Sequence, residues 1–151
     1  MNLAEYAALD ATGLAALIAG GEVTPREAAE AAACAIEAVD GRLGAVVETY
    51  PDRIEGLDEH TLGRGPFRGV PFLIKDVGGH EKGRKIEFGS RLCAGMTADI
   101  DTHFAELVRA AGLNILGRSN APEFSIVSSA ENLLYGATST PWREGWSAGG
   151  S

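Results

Sequence analysis

The chain has few of the residues that would indicate a metal site, a disulfide framework or a membrane span. Its 151 residues include two cysteines and three histidines, and these show no spacing typical of metal ligands. Cys34 and Cys93 are therefore predicted to be buried free thiols, as is usual in a cytoplasmic protein. No apolar run approaches ~18 residues, so the sequence predicts no transmembrane helix.

Positive charge is also scarce. The 13 lysines and arginines are outnumbered by 21 acidic residues, and the net charge is −8. Nucleic-acid binding needs a basic face to meet phosphate, so we expect neither a nucleic-acid partner nor a membrane partner. Hydrophobic residues make up 45% of the sequence, which is enough to build the core of one domain of this length.

Glycine, in contrast, is abundant. The 20 glycines are concentrated around residues 63–95 and again at 145–150. The second cluster leads into Ser-Ala-Gly-Gly-Ser at 147–151, a tail that can neither cap nor pack against an element. The sequence therefore predicts that the natural chain continues beyond Ser151.

Capping signals and apolar periodicity predict three helices. The first spans 10–19, with Asp10 or Thr12 as its cap. The second starts with Thr-Pro-Arg-Glu at 24–27, a capping box with proline in the first turn, and is expected to end near Val39. The third spans 102–111. Its cap is predicted to be Asp101 and its inward side chains Phe104, Leu107, Val108 and Ala111.

Two apolar runs of strand length, at 70–74 and 113–117, predict buried strands. The long connection between them contains a helix, which favours a parallel arrangement. Polar residues follow both runs, Lys75 and Asp76 after the first and 118–120 after the second. Parallel α/β sheets bind ligands along that edge. Taken alone, Lys75 is better explained as a solvated charge paired with Asp76, so a catalytic role depends on the rest of the chain.

Three segments in register resemble the amidase signature family. They are the glycine loop and strand at 63–76, the helix–strand unit at 109–124, and Tyr-Gly-Ala-Thr at 135–138 with Pro-Trp at 141–142 leading to Gly-Gly-Ser at 149–151. The resemblance implies an α/β fold, in which an N-terminal helical segment, 1–62, precedes the first part of the amidase core, 63–151. This core is a mixed, largely parallel β-sheet flanked by helices, truncated here before the nucleophilic serine.

The resemblance also implies a Ser–Ser–Lys triad. Lys75 matches the catalytic lysine, and Ser151 matches the bridging serine. The nucleophilic serine and the oxyanion donors belong to a later element that these 151 residues do not include. Asn120, Gly149 and Gly150 are expected to bind substrate, and no metal or cofactor is expected.

A lysine that acts as a base must be neutral, which burial at the end of an apolar strand favours. A carboxylate in contact with that lysine would favour the charged form instead. We therefore expect Asp76 to point away from Lys75 and to bond the backbone or another cation.

The implied function is hydrolysis of a linear or cyclic carboxamide, a small-molecule substrate, through a serine acyl-enzyme. One alternative is the A subunit of a tRNA-linked amidotransferase. The other is an inactive fragment that needs a complementary C-terminal chain; the remainder of the amidase chain is then its partner, and a homodimer is left open. Pro122 and the segment at 65–76 look closer to free-standing amidases, including those that act on nylon-type cyclic amides.

The sequence departs from the family pattern in two places that bear on the site. Arg-Ser-Asn at 118–120 stands where Lys-Thr-Asn is common, and Trp146 stands where arginine is usual. Trp146 either lines the substrate entry or packs as an aromatic side chain on the surface.

Overall fold

The computed structural model describes residues 1–150, and Ser151 lies outside the described residues. Its described part begins with helices and continues into short strands and turns, as predicted. The helices are α1 (Leu3–Ala7), α2 (Ala11–Gly20), α3 (Pro25–Leu43) and α4 (His103–Ala110). The strands are β1 (Val46–Thr49), β2 (Pro71–Lys75), β3 (Asn114–Ser119), β4 (Glu131–Asn132) and β5 (Gly136–Ala137). Single 3-10 turns occur at Pro51–Arg53, Glu59–Thr61, Arg91–Cys93 and Glu123–Ser125.

Side chains cap the starts of α2 and α3 as the sequence predicts. The Asp10 carboxylate accepts a hydrogen bond of 2.7 Å from the Gly13 amide. The Thr24 hydroxyl accepts from the Glu27 amide at 3.1 Å, and the Glu27 carboxylate accepts from the Thr24 amide at 2.8 Å. These bonds satisfy amides that the first turn of a helix leaves without a partner.

The predicted end of α3 near Val39 is wrong, because the helix continues to Leu43. Gly44, with a φ of 60°, makes the left-handed turn that ends it. The Asp40 carboxylate accepts hydrogen bonds of 2.7 and 3.0 Å from the amides of Ala45 and Val46. Asp40 therefore stabilises the turn after the helix, and the Asp-Gly pair that suggested a stop lies within it.

The burial of α4 also differs from the prediction. Ala105 and Val108 are buried, whereas Phe104 and Leu107 are 50% and 55% exposed. Successive residues of an α-helix are rotated by about 100°, so a stripe centred between Ala105 and Val108 leaves Phe104 and Leu107 at its edge. The helix starts at His103, and Thr102 caps it, because its hydroxyl accepts from the Ala105 amide at 3.3 Å. The Asp101 carboxylate accepts from the Lys82 amide at 2.7 Å.

Three strands form a sheet in the order β1-β3-β2. The Asn114 amide donates to the Val70 carbonyl and the Asp76 amide donates to the Ser119 carbonyl. Because partner numbers rise together, β2 and β3 are parallel, as predicted. For β1 the pairs are Tyr50 with Leu116 and Asn120 with Ala45. There one number rises as the other falls, so β1 is antiparallel to β3 and the sheet is mixed.

The chain divides into two compact units, of which the first comprises Met1–Ala38, Thr49–Leu73 and Glu106–Gly117. Buried side chains of this unit pack against one another in clusters, which include the following two. One is Leu14, Val23, Ala28 and Val70, and the other is Ala32, Ile54 and Leu116. The small alanines of α3 let that helix pack closely, and the Arg26 guanidinium binds the Leu57 carbonyl at 2.7 Å.

The second unit comprises Val39–Glu48, Ile74–Ala105 and Arg118–Ser151. It is rich in loops, which are held by polar side chains more than by a large apolar core. Its two-stranded ribbon pairs Glu131 with Ala137 and Asn132 with Gly136, antiparallel. Of the site residues predicted from the sequence, Lys75, Asn120, Gly149 and Gly150 are described, and they belong to this unit.

The two thiols and the hydropathy of the helices agree only in part with the sequence analysis. Cys34 and Cys93 are free, but Cys34 is exposed and Cys93 half-buried, so the prediction that both are buried is wrong. Cys34 lies on the outward face of α3, four residues after the exposed Glu30.

Among residues 1–150, no helix is both long enough and apolar enough to cross a membrane.

Two glycine-to-alanine substitutions are expected to change stability in opposite directions. A Cβ at Gly63 would overlap the backbone carbonyl of Arg109, whereas a Cβ at Gly41, inside α3, would meet nothing within 4 Å. Gly63→Ala should lower the free energy of unfolding by about 3 kcal/mol or more. Gly41→Ala should raise it by about 0.5–1 kcal/mol, because alanine loses less backbone entropy in a helix. Chemical denaturation of the natural full-length protein measures both, and a harmless Gly63→Ala would contradict the packing.

Candidate active site

Lys75 lies at the carboxyl end of β2, beside the end of β3. The Asp76 amide donates to the Ser119 carbonyl at 3.1 Å, so the two parallel strands end at one edge, as the sequence predicts. The Lys75 ammonium Nζ donates to the hydroxyl of Ser125 at 3.2 Å. A half-buried lysine thus reaches a serine hydroxyl at the edge where parallel sheets bind ligands.

Asp76 turns its carboxylate to the backbone and to a cation, as predicted. Oδ1 accepts from the Glu87 amide at 2.9 Å, and Oδ2 accepts from the Gly89 amide at 2.8 Å. Oδ1 also accepts from the guanidinium of Arg118. Asp76 is only 1% exposed, and these three donors provide the partners that a buried carboxylate requires.

Arg118, on β3, is the centre of a buried network of charges. Its Nε donates to Glu48 at 3.0 Å, and one Nη donates to Glu87 at 2.8 Å and to Tyr135 at 3.0 Å. The other Nη binds Asp76, and the side chain is 2% exposed. The planar fork of donors in a guanidinium can serve several acceptors at once, which the single ammonium of a lysine does less well.

The groups of this network shift one another's pKa values. Burial opposes the charge of Arg118, but the hydrogen bond to Glu87 and the charge of Asp76 raise its pKa above the usual value. Burial also opposes ionisation of Glu87, but hydrogen bonds from Tyr135, the Gly95 amide and Arg118 lower its pKa. Burial and the hydrogen bond to Glu87 raise the pKa of Tyr135 to about 12. The network therefore stays ionised around Arg118 and keeps Tyr135 protonated at neutral pH.

Sequence reasoning missed this network and treated Arg118 only as a mild departure from lysine. One signal was available: Arg118 continues the buried strand that begins at Asn114, and a charge within such a strand needs partners of opposite sign. The identity of those partners was not readable, since Glu48, Glu87 and Tyr135 are far from Arg118 along the chain.

Asn120 is buried and occupied by four hydrogen bonds. Its amide NH₂ donates to the Gly136 carbonyl at 3.2 Å and to the Thr138 hydroxyl at 3.0 Å. Its Oδ1 accepts from the Ala121 amide at 2.9 Å and from the Asn132 side chain at 2.7 Å. Asn120 thus joins the end of β3 to the β4–β5 ribbon. A substrate contact by Asn120 stays a prediction.

Gly149 and Gly150 lie against the segment Pro122–Ala130, which also carries Ser125. The Ala130 amide donates to the Gly149 carbonyl at 3.0 Å, and Gly149 has a φ of 79°, which favours glycine. A Cβ at Gly150 would come within 2.8 Å of the Ala130 amide nitrogen and 2.9 Å of Pro122.

One segment therefore contacts both Lys75 and the Gly-Gly pair. The predicted role of Ser151 falls outside the described residues.

Trp146 is 56% exposed. The Arg143 guanidinium lies 4.0 Å from the centre of the Trp146 ring, which is a cation–π contact. This geometry agrees with the interpretation of Trp146 as a surface aromatic that packs on a neighbour, and its part in a substrate entry stays a prediction.

Comparison with known proteins gives a consistent result. The family model described as Amidase matches residues 27–151. A 6-aminohexanoate-cyclic-dimer hydrolase of Paenarthrobacter ureafaciens is 36% identical over 144 residues, 94% of this chain and 29% of that protein. The A subunit of the glutamyl-tRNA(Gln) amidotransferase of Renibacterium salmoninarum is 35% identical over 165 residues, 99% of this chain and 31% of that protein.

A solved structure matches as well. The structure of 6-aminohexanoate cyclic dimer hydrolase complexed with substrate superposes with a TM-score of 0.86 at 35% sequence identity. The match covers 95% of this chain and 30% of that chain. The chain thus spans about 30% of the length of the proteins it matches.

Tyr135→Phe should weaken the network around Arg118 and reduce the stability that the protein loses at low pH. It removes the hydroxyl that donates to Glu87 and accepts from Arg118, which should cost about 1 kcal/mol of unfolding free energy at neutral pH. The folded-state pKa of Glu87 lies below its ordinary value of 4.5. Its stabilisation is therefore fully present above about 4.5 and is lost as pH falls through the folded value. Without the Tyr135 hydroxyl, the pKa of Glu87 is lowered less. The Phe variant should therefore lose less stability than the natural protein when the pH is lowered.

For Tyr135 the sign is reversed. Because its pKa is raised, protonated Tyr135 stabilises the fold. This contribution is fully present below the ordinary pKa of 10.0 and is lost as the pH rises through about 12. Unfolding free energies measured in denaturant from pH 3 to about pH 12 should show both losses of stability, and the loss at high pH should be smaller in the Phe variant. Identical pH dependence in the two proteins would contradict the network's role. Tyr6→Phe is a control for the loss at low pH only: Tyr6 has no hydrogen bond to Glu87, but burial raises its pKa too, so this variant should also change the loss at high pH.

Proposed function

Because the chain belongs to the amidase signature family, we propose that the protein hydrolyses a carboxamide through a serine acyl-enzyme in which Lys75 is the general base. The substrate is a small linear or cyclic amide, and the residues described here provide one side of its site. The proposal assigns Lys75 and Ser151 to the triad and the nucleophilic serine to residues outside this chain.

The observation that carries the proposal is the environment of Lys75. Its Nζ reaches a hydroxyl at 3.2 Å at the edge where β2 and β3 end. The neighbouring carboxylate, Asp76, is bound by Arg118 and by the amides of Glu87 and Gly89. Asp76 thus takes its partners from Arg118 and the backbone, while the hydrogen bond of Lys75 goes to the Ser125 hydroxyl.

The proposed reaction has two halves. The hydroxyl of the nucleophilic serine attacks the amide carbonyl, and its proton passes through the bridging Ser151 to Lys75. Lys75 then returns the proton to the departing amine nitrogen, the C–N bond breaks, and the serine keeps the acyl group as an ester. A water molecule attacks the ester with the same base assistance and releases the acid.

Asn120, Gly149 and Gly150 are proposed to shape the substrate side of the site. Gly149 and Gly150 offer backbone free of side chains next to Pro122–Ala130. Asn120 holds Ala121 and the β4–β5 ribbon through its four hydrogen bonds. In this proposal Asn120 acts on the pocket by fixing its walls.

The coarser organisation is proposed to follow the family. Residues 1–62 are the N-terminal helical segment that precedes the first part of the amidase core, 63–151, and the rest of the core completes the site. A cytoplasmic location fits the two free thiols. The similarity to a 6-aminohexanoate-cyclic-dimer hydrolase makes cyclic amides the first substrates to test.

A second candidate function is that of an amidotransferase A subunit. It is favoured by the 35% identity to such a protein over 99% of this chain. In that case ammonia released at the site is transferred to an acylated tRNA by a complex with partner proteins. Ammonia transfer by the purified complex, measured beside simple amide hydrolysis, distinguishes the two functions.

Lys75→Ala in the natural full-length protein should lower kcat for amide hydrolysis by about 10³-fold or more, because the base is lost. The fold should persist, because within residues 1–150 the Lys75 side chain makes a hydrogen bond to Ser125 alone. Lys82→Ala, at an exposed position of the following loop, is the matched control and should keep normal activity. Near-normal turnover by Lys75→Ala would rule out the role of Lys75.

The 151-residue chain by itself should hydrolyse no amide, because in this proposal it carries no nucleophile. Release of ammonia or amine from cyclic and linear amides is the measurement, with the natural full-length protein at equal concentration as the reference. Turnover by the purified 151-residue chain that Lys75→Ala abolishes would place a nucleophile within these residues and contradict the proposal.

A further inference from the structure

We propose that Ser125 is a positioning residue for Lys75, held against it by a strained turn that Phe88 and Asp76 support. This inference rests on the proposed function, in which Lys75 is the general base. It adds a fourth group, outside the Ser–Ser–Lys triad, that acts on the reaction through the lysine.

The contact itself joins two side chains 50 residues apart. The Ser125 hydroxyl accepts a hydrogen bond from Lys75 Nζ at 3.2 Å. A lysine side chain has four rotatable bonds, so its amine samples many positions unless a partner holds it. The hydroxyl of Ser125 supplies that partner at the strand edge.

The backbone at Ser125 is in a conformation that side chains other than glycine rarely adopt. Phe124 and Ser125 have φ values of 50° and 55°. Two consecutive left-handed residues, neither of them glycine, cost about 1–2 kcal/mol each. Such strain persists only where surrounding contacts impose it, and it is concentrated at functional sites. A glycine would occupy this turn at lower cost, so the serine side chain has another use.

The contacts that impose the turn come from Phe88. The Phe124 amide donates to the Phe88 carbonyl at 2.8 Å, and the two rings stack with centroids 5.8 Å apart. Phe88 is itself left-handed, with a φ of 55°. The Ser125 amide closes the turn by donating to the Pro122 carbonyl at 2.9 Å. The strained segments at 88 and at 124–125 therefore support each other.

Asp76 fixes the position of Phe88. Its carboxylate binds the amides of Glu87 and Gly89, on either side of Phe88, and its carbonyl accepts from the Phe88 amide at 3.2 Å. Asp76 directly follows Lys75 in sequence. The lysine and the turn that carries its hydroxyl partner are thus anchored to adjacent residues of the same strand end.

Three substitutions at Ser125 in the natural full-length protein separate positioning from simple structural support. Ser125→Gly removes the hydroxyl and relieves the left-handed strain. Ser125→Ala removes the hydroxyl and keeps the strain. Ser125→Asn keeps an acceptor oxygen at a residue type that tolerates the left-handed region. The measurements are kcat, KM and the midpoint of thermal unfolding for each variant.

A positioning role predicts that activity and stability move in opposite directions in the glycine variant. Its unfolding midpoint should rise while kcat falls about tenfold, the size expected for loss of one hydrogen bond to a charged group, with KM unchanged. The alanine variant should show the same loss of kcat without the gain in stability, and the asparagine variant should recover most of the activity.

Normal kcat in Ser125→Gly, or kcat values that simply follow the unfolding midpoints, would overturn the assignment. If Lys75→Ala is inactive in the same assay, that failure concerns Ser125 alone and leaves the general base in place. Full activity of Lys75→Ala would overturn both.

Discussion

The buried guanidinium of Arg118 is the interaction on which the candidate site depends. It is 2% exposed and binds Asp76, Glu87, Glu48 and Tyr135. Removing one partner of such a cluster leaves an uncompensated buried charge, which is far more costly than the net gain from the intact cluster. The cluster thus fixes the position of the residues at the end of β2. It holds Asp76, and Asp76 in turn holds the loop at 87–89, so that Lys75 is left to face a hydroxyl.

This arrangement explains how adjacent residues of opposite charge avoid forming a simple ion pair. Lys75 and Asp76 follow one another at the end of a strand, where successive side chains point to opposite sides. The Asp76 carboxylate lies on the buried side, where it binds Arg118 and two backbone amides, and the Lys75 side chain lies on the side of Ser125. The alternation of a strand thereby places the carboxylate of Asp76 and the amine of Lys75 in different surroundings.

Much of the local structure could be read from the sequence, because it depends on neighbours along the chain. The capping box at 24–27 is of this kind. The parallel pairing of β2 with β3 joins distant residues, but it follows from the helix in the connection between the strands. The orientation of Asp76 was inferred from the neutral Lys75 that the family resemblance implies. The end of α3 was misplaced because Asp40 serves the turn after the helix, a choice that depends on where β1 lies. The partners of Arg118, and the hydroxyl that meets Lys75, come from residues 17 to 70 positions away. Such contacts follow from the fold and leave no periodic signal in one sequence.

The strand order β1-β3-β2 has a consequence for how the chain folds while the ribosome synthesises it. β3 is the middle strand and is the last of the three to be made, about 70 residues after β1. At about 5–20 residues per second, β1 and β2 wait several seconds for the strand that pairs with both. During that interval α3 can already form behind its capping box, while two apolar strand edges are open to other chains. Rapid emergence of residues 114–119, or protection of the nascent chain by a chaperone, should therefore govern how much of this protein is recovered in folded form.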